Sequence, residues 1–178
     1  MEIKETTIKG LLILEPTLFK DSRGYFTEIY HKLKLEEHQI TYDFLQDNQS
    51  RSTHGVIRGL HFQKAPYGQT KLIRVLEGNI FDVALDIRPD SATYGQWFGL
   101  ELSAENHLQL LVPAGFAHGF SVLSEYATVF YKCDAYYHPQ SDAGICYNDP
   151  DLQINWKLDL TQATVSDKDR NLPYLKDL

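Results

Sequence analysis

The chain has 178 residues, of which 43% are hydrophobic and 23% are charged, a balance typical of an ordinary globular domain. With 17 Lys and Arg against 24 Asp and Glu, the formal net charge is −7, and this deficit of cations argues against a protein that binds nucleic acid. A small anionic ligand is still allowed, because a few cations that converge in one cleft dominate the local field. The length predicts one domain spanning residues 1–178.

The cysteines and the N-terminus both favour a cytoplasmic location. Cys133 and Cys146 are the only cysteines, too few for a disulfide framework or a thiolate metal site, so we expect buried or incidental thiols. Residues 1–5 are charged and lack the apolar block of a secretory signal. The longest uncharged run, 106–124, contains Pro113 and two glycines, unlike a membrane helix. We therefore expect no association with a membrane.

Most of the chain shows a hydrophobic period of two, the pattern of β-strands with one solvated or pocket-facing side. Short strands are predicted at 11–14, 25–30, 44–47, 71–76, 80–87, 97–102, 107–112, 118–123 and 128–137. Turn residues separate them at 21–24, 77–79, 88–91 and 113–115. Helical patterns are confined to 32–38 and 161–170. This spacing of short strands predicts a β-sandwich or barrel.

Arg58 and His61 lie on either side of Gly59 in a predicted strand. Residues three apart in a regular strand point to opposite faces. If Gly59 marks a bulge, one residue is skipped and both side chains point into one cavity. A surface arginine with a hydrogen-bonded core histidine is the alternative that these residues leave open.

Two neighbouring segments can likewise each be interpreted in two ways. The polar run 48–52 suits a polyhydroxylated or nucleotide ligand, or forms an ordinary polar loop. Lys71 alternates onto one face with Ile73 and Val75, so it either snorkels at a strand end or is held in a pocket.

The segment 112–120 places Pro113 and Gly115 before a strand that begins at His118. It resembles the second sequence motif of cupins, which are small jelly-roll barrels. Metal-binding cupins carry a His-x-His pair in an earlier strand, where this chain has His61 followed by Phe62 and Gln63. Because the second imidazole is missing, we expect no metal.

Two C-terminal segments contain groups suited to proton transfer. Tyr131 shares a strand face with Cys133 and Tyr137, and its phenol is either a proton donor or a packing group. Residues 166–169 form a solvated turn or helix cap by default, and matter to the chemistry only if they fold against the barrel mouth.

Taken in order, these segments resemble the nucleotide-sugar 3,5-epimerase family, whose best known members act on dTDP-4-dehydro-6-deoxyglucose in dTDP-rhamnose synthesis. The resemblance implies an all-β, cupin-like jelly-roll barrel of two antiparallel sheets with a few short helices, a homodimer, and a reaction without a cofactor. Its substrate would be a dTDP-linked 4-keto-6-deoxy sugar. The matching segments are 21–28, 46–50, 58–63, 71–72, 82–88, 113–120, 131–132, 148–150 and 166–169.

The resemblance also implies the catalytic roles. The 4-ketone acidifies the C–H bonds at C3 and C5, so a base removes a proton and an acid returns one on the opposite face. By similarity His61 is the base, Tyr131 is the acid across the ring, and Asp169 orients the imidazole. Lys71 lies near the C4 oxygen and stabilises the enolate.

Eight further residues match ligand-contacting positions of the family. Some of them are expected to reach the pocket of a neighbouring subunit, and Tyr136 is a candidate for stacking. The anionic-group contacts are Arg23 and Arg58, and the other contacts are Glu28, Gln46, Asn48, His118, Asp142 and Lys168.

Two positions depart from the family's usual residues. Asp142 stands where Glu is common, and Cys146-Tyr147 stands where Arg-Trp is common.

Four alternatives stay open at this point. Two are enzymes of the same type: an epimerase that inverts only C3 or only C5, and one that uses a GDP-linked or other nucleotide-linked keto sugar. The third is a cupin that binds a nucleotide sugar without turnover, and the fourth is a metal-dependent cupin oxygenase.

Overall fold

The computed structural model describes residues 1–178. The strands are β1 (Glu2–Glu5), β2 (Leu12–Glu15), β3 (Leu18–Asp21), β4 (Gly24–Thr27), β5 (Gln46–Thr53), β6 (Ile57–Gln63), β7 (Lys71–Glu77), β8 (Asn79–Asp86), β9 (Trp97–Ser103), β10 (Gln109–Val112), β11 (Phe116–Val122), β12 (Tyr126–Cys133) and β13 (Asp142–Gly144). The α-helices are α1 (Lys32–Glu36) and α2 (Asp167–Arg170), and 3₁₀ turns cover Pro139–Ser141, Leu160–Gln162 and Leu175–Asp177. None of these helices has the length and hydropathy needed to cross a bilayer.

The strands form two antiparallel sheets and a separate hairpin. The six-stranded sheet has the order β1-β2-β10-β7-β12-β5, and the five-stranded sheet has the order β13-β6-β11-β8-β9. From β5 to β8 and from β9 to β13, the chain changes sheet at every step. The predicted cupin-like jelly roll is therefore confirmed. The hairpin of β3 and β4 pairs with neither sheet.

An apolar cluster fills one part of the space between the sheets. Its members include Ile73 and Val75 from one sheet and Ile80, Ala84 and Phe120 from the other. Burying each such side chain contributes about 1.5–3 kcal/mol. A second cluster, around Trp156 and Ile145, covers the outer face of the five-stranded sheet. The remainder of the inter-sheet space holds polar side chains.

Both faces of β8 are buried. The alternation predicts one solvated or pocket-facing side, and the side that carries Asp82 is not solvated but faces the inter-sheet space with Ile80 and Ala84. The opposite, apolar side packs in the second cluster. The polar residues on it, Asp82 and Asp86, are each 0% exposed. They are tolerated because His118 pairs with Asp82 and Arg88 pairs with Asp86.

β6 contains the predicted bulge. His61 pairs with His118 and Arg58 pairs with Phe120, so three steps along β6 match two steps along β11. Gly59 lies at this irregularity with a φ of +118°, a conformation that favours glycine. The bulge allows Arg58 and His61 to share a face of the sheet, but only His61 lines the cavity, whereas Arg58 is exposed and donates to Ser52.

Three of the differences from the predicted elements concern segments near the cavity or α2. The polar segment near 48–52 is not a loop, because β5 runs over Gln46–Thr53 at a sheet edge, with one face toward the barrel interior and the other in solvent. β12 ends at Cys133 rather than near 137, where Asp134 accepts a hydrogen bond from Thr70 N at 2.6 Å and turns the chain. The helical pattern at 161–170 divides into a 3₁₀ turn and α2, because Thr164 bridges to Val56 between them.

The close approach of β6 and β11 gives a stability prediction. A Cβ at Gly59 would lie 2.6 Å from Gly119 Cα and 2.7 Å from His118 O, so Gly59→Ala is expected to lower the free energy of unfolding by about 3 kcal/mol or more. Gly10 also has positive φ, but its nearest atoms lie 3.7 Å away, so the control Gly10→Ala is expected to cost about 1–2 kcal/mol. Equilibrium denaturant unfolding measures both, and equal losses would contradict the close approach.

Candidate active site

A polar cavity of about 330 Å³ opens between the two sheets. Its volume falls within the range of small-molecule sites. Seven of the twelve predicted site residues line it: Gln46, Asn48, His61, Lys71, Tyr131, Asp142 and Lys168. The remaining lining residues are Phe62, Gln63, Gln69 and Tyr137.

His61 lies on one wall of the cavity, and Asp169 supports it from behind. His61 Nε2 lies 2.8 Å from Asp169 Oδ1, and Asp169 Oδ2 accepts a hydrogen bond from Gly59 N at 3.0 Å. With Nε2 engaged, Nδ1 is the nitrogen of His61 that is left to exchange a proton with a ligand. The segment 166–169 therefore folds against the barrel mouth, the condition under which it bears on the chemistry.

The charge of Asp169 is stabilised although the residue is only 4% exposed. Burial raises the pKa of this carboxyl, but the hydrogen bonds from His61, Gly59 N and Ser166 outweigh it and hold the pKa below its ordinary value. Ser166 caps α2 by accepting from Asp169 N, which fixes the backbone that carries the carboxylate.

Tyr131 and Lys71 lie on the opposite wall, on adjacent strands β12 and β7 of the six-stranded sheet. Burial raises the pKa of the Tyr131 phenol, so this hydroxyl is protonated at neutral pH and is available as a donor. The cavity between the sheets therefore separates an imidazole from a phenol.

Lys71 lies in the pocket rather than at the protein surface. Burial lowers the pKa of its ammonium, and the charges of Cys133, Asp82 and Asp142 oppose that shift. No carboxylate oxygen lies within 4.0 Å of Nζ, so the N–H groups are free to meet a ligand oxygen. Of the two predicted placements of Lys71, the structure therefore shows the one in a pocket and not the one that snorkels at a strand end.

Asp142 anchors the cavity mouth. Its carboxylate pairs with Lys168 and accepts a hydrogen bond from the Tyr137 hydroxyl at 3.2 Å. The ion pair raises the pKa of Lys168. The shorter acid at this position therefore reaches both of its neighbours.

Gln46 and Asn48 form the polar inner face of β5. Gln46 Nε2 donates to Asn48 Oδ1 at 3.0 Å, and Gln46 Oε1 accepts from Tyr137 N at 3.0 Å. Asn48 Nδ2 donates to Cys133 Sγ at 3.6 Å. Amide groups held in this way suit a polyhydroxylated ligand.

Two predicted contacts lie near the cavity without lining it. His118 is 8% exposed and is paired with Asp82 beside His61. Arg58 donates to Ser52 Oγ at 2.9 Å, and its charge acts on Tyr131.

Two others lie outside the cavity altogether. Arg23 has an 88% exposed side chain that pairs with Asp21 in the β3–β4 hairpin. Glu28 follows the hairpin and pairs with Lys34. Tyr136, the stacking candidate, is 69% exposed and does not line the cavity either.

Sequence reasoning assigned no role to four lining residues, Phe62, Gln63, Gln69 and Tyr137. Strand alternation is a signal for two of them, because Gln63 is two residues after His61 and Gln69 is two residues before Lys71. Gln63 also holds two loops in place, donating to Tyr67 O at 3.0 Å and accepting from His138 N at 2.6 Å. Tyr137 falls on the face of Tyr131 in the predicted alternation, but it reaches the mouth from the loop that follows β12, which ends at Cys133.

The two thiols are buried, as predicted. Cys146 Sγ donates to Asn148 Oδ1 at 3.1 Å and contacts the Arg170 carbonyl at the end of α2. Cys146, which stands where arginine is usual, therefore lies behind the helix that carries Asp169 and not in the cavity. The structure contains no group of three or more His, Cys, Asp or Glu side chains placed to hold a metal ion.

The lowered pKa of Asp169 predicts a pH-dependent contribution to stability. A carboxyl whose pKa is lowered on folding stabilises the protein at pH values above the pKa of the unfolded state, 3.8. This contribution is lost as the pH falls through the lower pKa of the folded state. The difference in unfolding free energy between wild type and Asp169→Asn should therefore shrink between about pH 5 and pH 3. Denaturant unfolding at each pH measures it. The exposed neighbour Asp167 supplies the control Asp167→Asn, and a difference for Asp169→Asn that does not change with pH would contradict the assignment.

Comparison with known proteins assigns this geometry to a family. The model of the dTDP-4-dehydrorhamnose 3,5-epimerase family matches residues 5–177. The enzyme of that name from Escherichia coli K12 is 48% identical over 180 residues, covering 100% of this chain and 96% of its own. A crystal structure of the Bacillus anthracis enzyme with TDP and PPi bound has a TM-score of 0.94 and 51% identity, covering 97% of this chain and 98% of its own.

The Legionella pneumophila dTDP-6-deoxy-D-glucose-3,5-epimerase, solved in complex with dTDP-4-keto-L-rhamnose, is similar to the same degree. Its TM-score is 0.94 at 49% identity, covering 98% of this chain and 93% of its own. Fold and sequence agree over nearly the full length of each protein. The chain belongs to the dTDP-4-dehydrorhamnose 3,5-epimerase family.

Proposed function

We propose that this chain inverts C3 and C5 of dTDP-4-dehydro-6-deoxy-D-glucose to give dTDP-4-dehydro-L-rhamnose, without a cofactor. The observation that carries the proposal is the placement of an oriented imidazole and a protonated phenol on opposite walls of one cavity, with a lysine beside the phenol. Inversion at carbon requires removal of a proton from one face and delivery to the other, and these two walls present a base and an acid to opposite faces of a ring.

The mechanism begins at His61. Its free nitrogen takes the proton from the carbon next to the ketone, and the C–H electron pair becomes the enolate. Asp169 stabilises the imidazolium that forms and keeps the ring in one orientation through Oδ1. The hydrogen bond from Gly59 N–H to the other oxygen of Asp169 keeps that carboxylate from rotating with the imidazole ring.

Lys71 and Tyr131 complete the step. The ammonium of Lys71 meets the negative charge that develops on the C4 oxygen, in a site where the charge is poorly solvated and the interaction is therefore strong. Tyr131 then donates its proton to carbon on the face opposite His61, which inverts the centre. Solvent exchange returns both side chains to their starting states before the second carbon reacts.

Binding of the nucleotide uses the mouth and the adjacent face. We assign the sugar hydroxyls to Gln46, Asn48 and His118. The diphosphate needs cations, and Arg58 and Lys168 are the nearest candidates in the same subunit. Lys168 is already paired with Asp142, so a bound diphosphate competes with that carboxylate or shares the lysine with it. The name of each reported relative specifies dTDP, or the ligand in its structure is TDP, which favours this nucleotide over GDP.

We further propose that the enzyme is a homodimer in the cytoplasm. The β3–β4 hairpin exposes three aromatic side chains, Phe19, Tyr25 and Phe26, at 60%, 56% and 69%. Exposed aromatic clusters of this kind are typical of interfaces. Arg23 lies on the same hairpin and Glu28 follows it directly, and neither lines the cavity of its own subunit, which supports a role for both in the pocket of a partner.

A deuterium experiment tests the proposed reaction. In D₂O, the metal-free wild-type enzyme is expected to place solvent deuterium at both C3 and C5 of the keto sugar, measured by NMR. His61→Asn should reduce turnover by about 10³-fold or more while retaining binding of dTDP. Tyr131→Phe should still exchange the proton through His61 but return deuterium on the original face, giving exchange without inversion.

Three of the four alternatives predict a different result in that experiment, and the fourth, an enzyme for another nucleotide-linked sugar, is tested by comparing dTDP- and GDP-linked substrates. A single-carbon epimerase labels only one carbon, and a nucleotide-sugar-binding cupin binds the sugar and labels neither. A metal-dependent enzyme is inactive until a metal is restored to the metal-free protein. Unchanged turnover in His61→Asn would exclude this histidine as the base.

Subunit mixing tests the contribution of the hairpin. If Arg23 serves the partner's pocket, mixed dimers of His61→Asn and Arg23→Ala subunits contain one intact site, so an equimolar exchanged mixture should regain about a quarter of wild-type activity. A mixture of His61→Asn with Tyr131→Phe is the matched control, because both side chains line the same pocket and no intact site can form. If the mixture of His61→Asn and Arg23→Ala is no more active than each variant alone, the two subunits do not share a site.

A further inference from the structure

A second imidazole–carboxylate pair lies inside the barrel, beside the first. His118 Nε2 is 2.9 Å from both carboxylate oxygens of Asp82. His118 is the direct cross-strand partner of His61. Asp82 is 0% exposed and does not line the cavity, and the steps proposed above give it no role.

The Asp82 carboxylate has fewer donors than a buried anion requires. Both of its oxygens share one N–H, that of His118, and no other group donates to either oxygen. An ionised carboxylate inside a protein is costly unless it is fully hydrogen-bonded or lies near a positive charge. Asp86, on the same strand and equally buried, shows the usual solution, because it accepts from Arg88, Ser91 and Thr93.

Lys71 is the cation placed to balance the negative charge of the Asp82 carboxylate. Lys71 alternates onto one face of β7 with Ile73, and Asp82 alternates onto one face of β8 with Ala84. Ile73 and Ala84 belong to the same inter-sheet cluster, so the two charged groups point into the same space. Burial lowers the pKa of Lys71, and the negative charge of Asp82 opposes this shift.

We propose that Asp82 is a positioning residue for the reaction: its carboxylate, aligned by His118, keeps the Lys71 ammonium charged and directed into the cavity. The role rests on the proposed function of Lys71. An ion pair in direct contact would occupy the N–H groups that the enolate oxygen needs. Asp82 lies more than 4.0 Å from Nζ, so it supplies a counter-charge and leaves those N–H groups unoccupied.

Several other titratable groups face Lys71 from the elements packed around it. Cys133 is its cross-strand neighbour on β12, and Asp142 acts on it from β13. The remaining ionisable side chains of this part of the barrel are Arg58 and His61 on β6, His118 on β11, Tyr131 on β12, Tyr137 at the mouth, and Lys168 and Asp169 on α2. All of them are retained in Asp82→Asn, which differs from wild type only in the side chain of Asp82.

The test is a direct titration of Lys71 in the free enzyme. Protein labelled with ¹³C at the lysine ε carbon is titrated by NMR, and Lys71→Met identifies the signal. Asp82→Asn removes the charge with little change in volume and should lower the pKa of Lys71 by about one unit or more, a tenfold change in its protonation equilibrium. The alkaline limb of the kcat profile should move to lower pH by a similar amount.

Two variants separate this effect from a loss of structure. Asp86→Asn removes an equally buried charge from the same strand and is expected to lower stability without moving the Lys71 titration. His118→Gln keeps an N–H donor for Asp82 and leaves the carboxylate charge in place, so the Lys71 titration should stay near its wild-type position. A Lys71 pKa that is the same in Asp82→Asn and in wild type would overturn the proposal.

If Asp82→Asn does not fold, a measurement on protein that retains Asp82 still tests the proposal. The ¹³Cγ resonance of Asp82 should show a step at the pH where Lys71 loses its proton, and this step should be absent in Lys71→Met, because coupling between two titrating sites is reciprocal. A resonance that ignores the Lys71 titration would also overturn the proposal. Normal turnover in Lys71→Met would instead refute the proposed function of the lysine and leave the electrostatic coupling intact.

Discussion

The Asp169 carboxylate joins the C-terminal helix to the barrel at the point where the chemistry is proposed to occur. One oxygen accepts from the His61 ring and the other from the Gly59 backbone, so a single side chain fixes the imidazole and the bulge that turns it inward. The bulge in turn depends on β6 and β11 approaching closely enough to exclude a side chain at Gly59. Ring orientation, helix position and strand geometry therefore depend on one buried anion.

The inter-sheet space serves two purposes in different parts of the barrel. The apolar cluster around Ile73, Val75 and Phe120 supplies stability, whereas the adjacent part buries two imidazole–carboxylate pairs and a lysine. Charged groups are expensive there, and each is compensated by a partner of opposite charge or by backbone donors. The same lack of solvent that makes these groups costly would also strengthen their action on the proposed enolate. Stability and function are thus divided along the same strands.

Much of this arrangement was predictable from residue patterns. Alternation identified β7, β8, β9 and most of β10 to β12, and the Arg58–His61 spacing contained the bulge as one of two options. The edge strand β5 was partly misjudged because both of its faces are polar, one against the cavity and one in solvent, and such a strand lacks the hydrophobic alternation that marks others. Alternation predicted an apolar face for β8 but not what covers it, since the covering chain comes from residues 145–165, distant in sequence. Tyr137 and the Asp82–His118 pair depend on loop paths and cross-sheet contacts, which a linear pattern does not contain.

The most direct test of the central claim is a crystal structure of His61→Asn with the bound dTDP-4-keto sugar. The opposed arrangement predicts a sugar ring lying between the substituted side chain on β6 and Tyr131 on β12, each facing a different side of the reacting carbon, with the ketone oxygen within hydrogen-bonding distance of Lys71 Nζ. A sugar bound with both side chains on one face, or with its ketone directed away from Lys71, would contradict it.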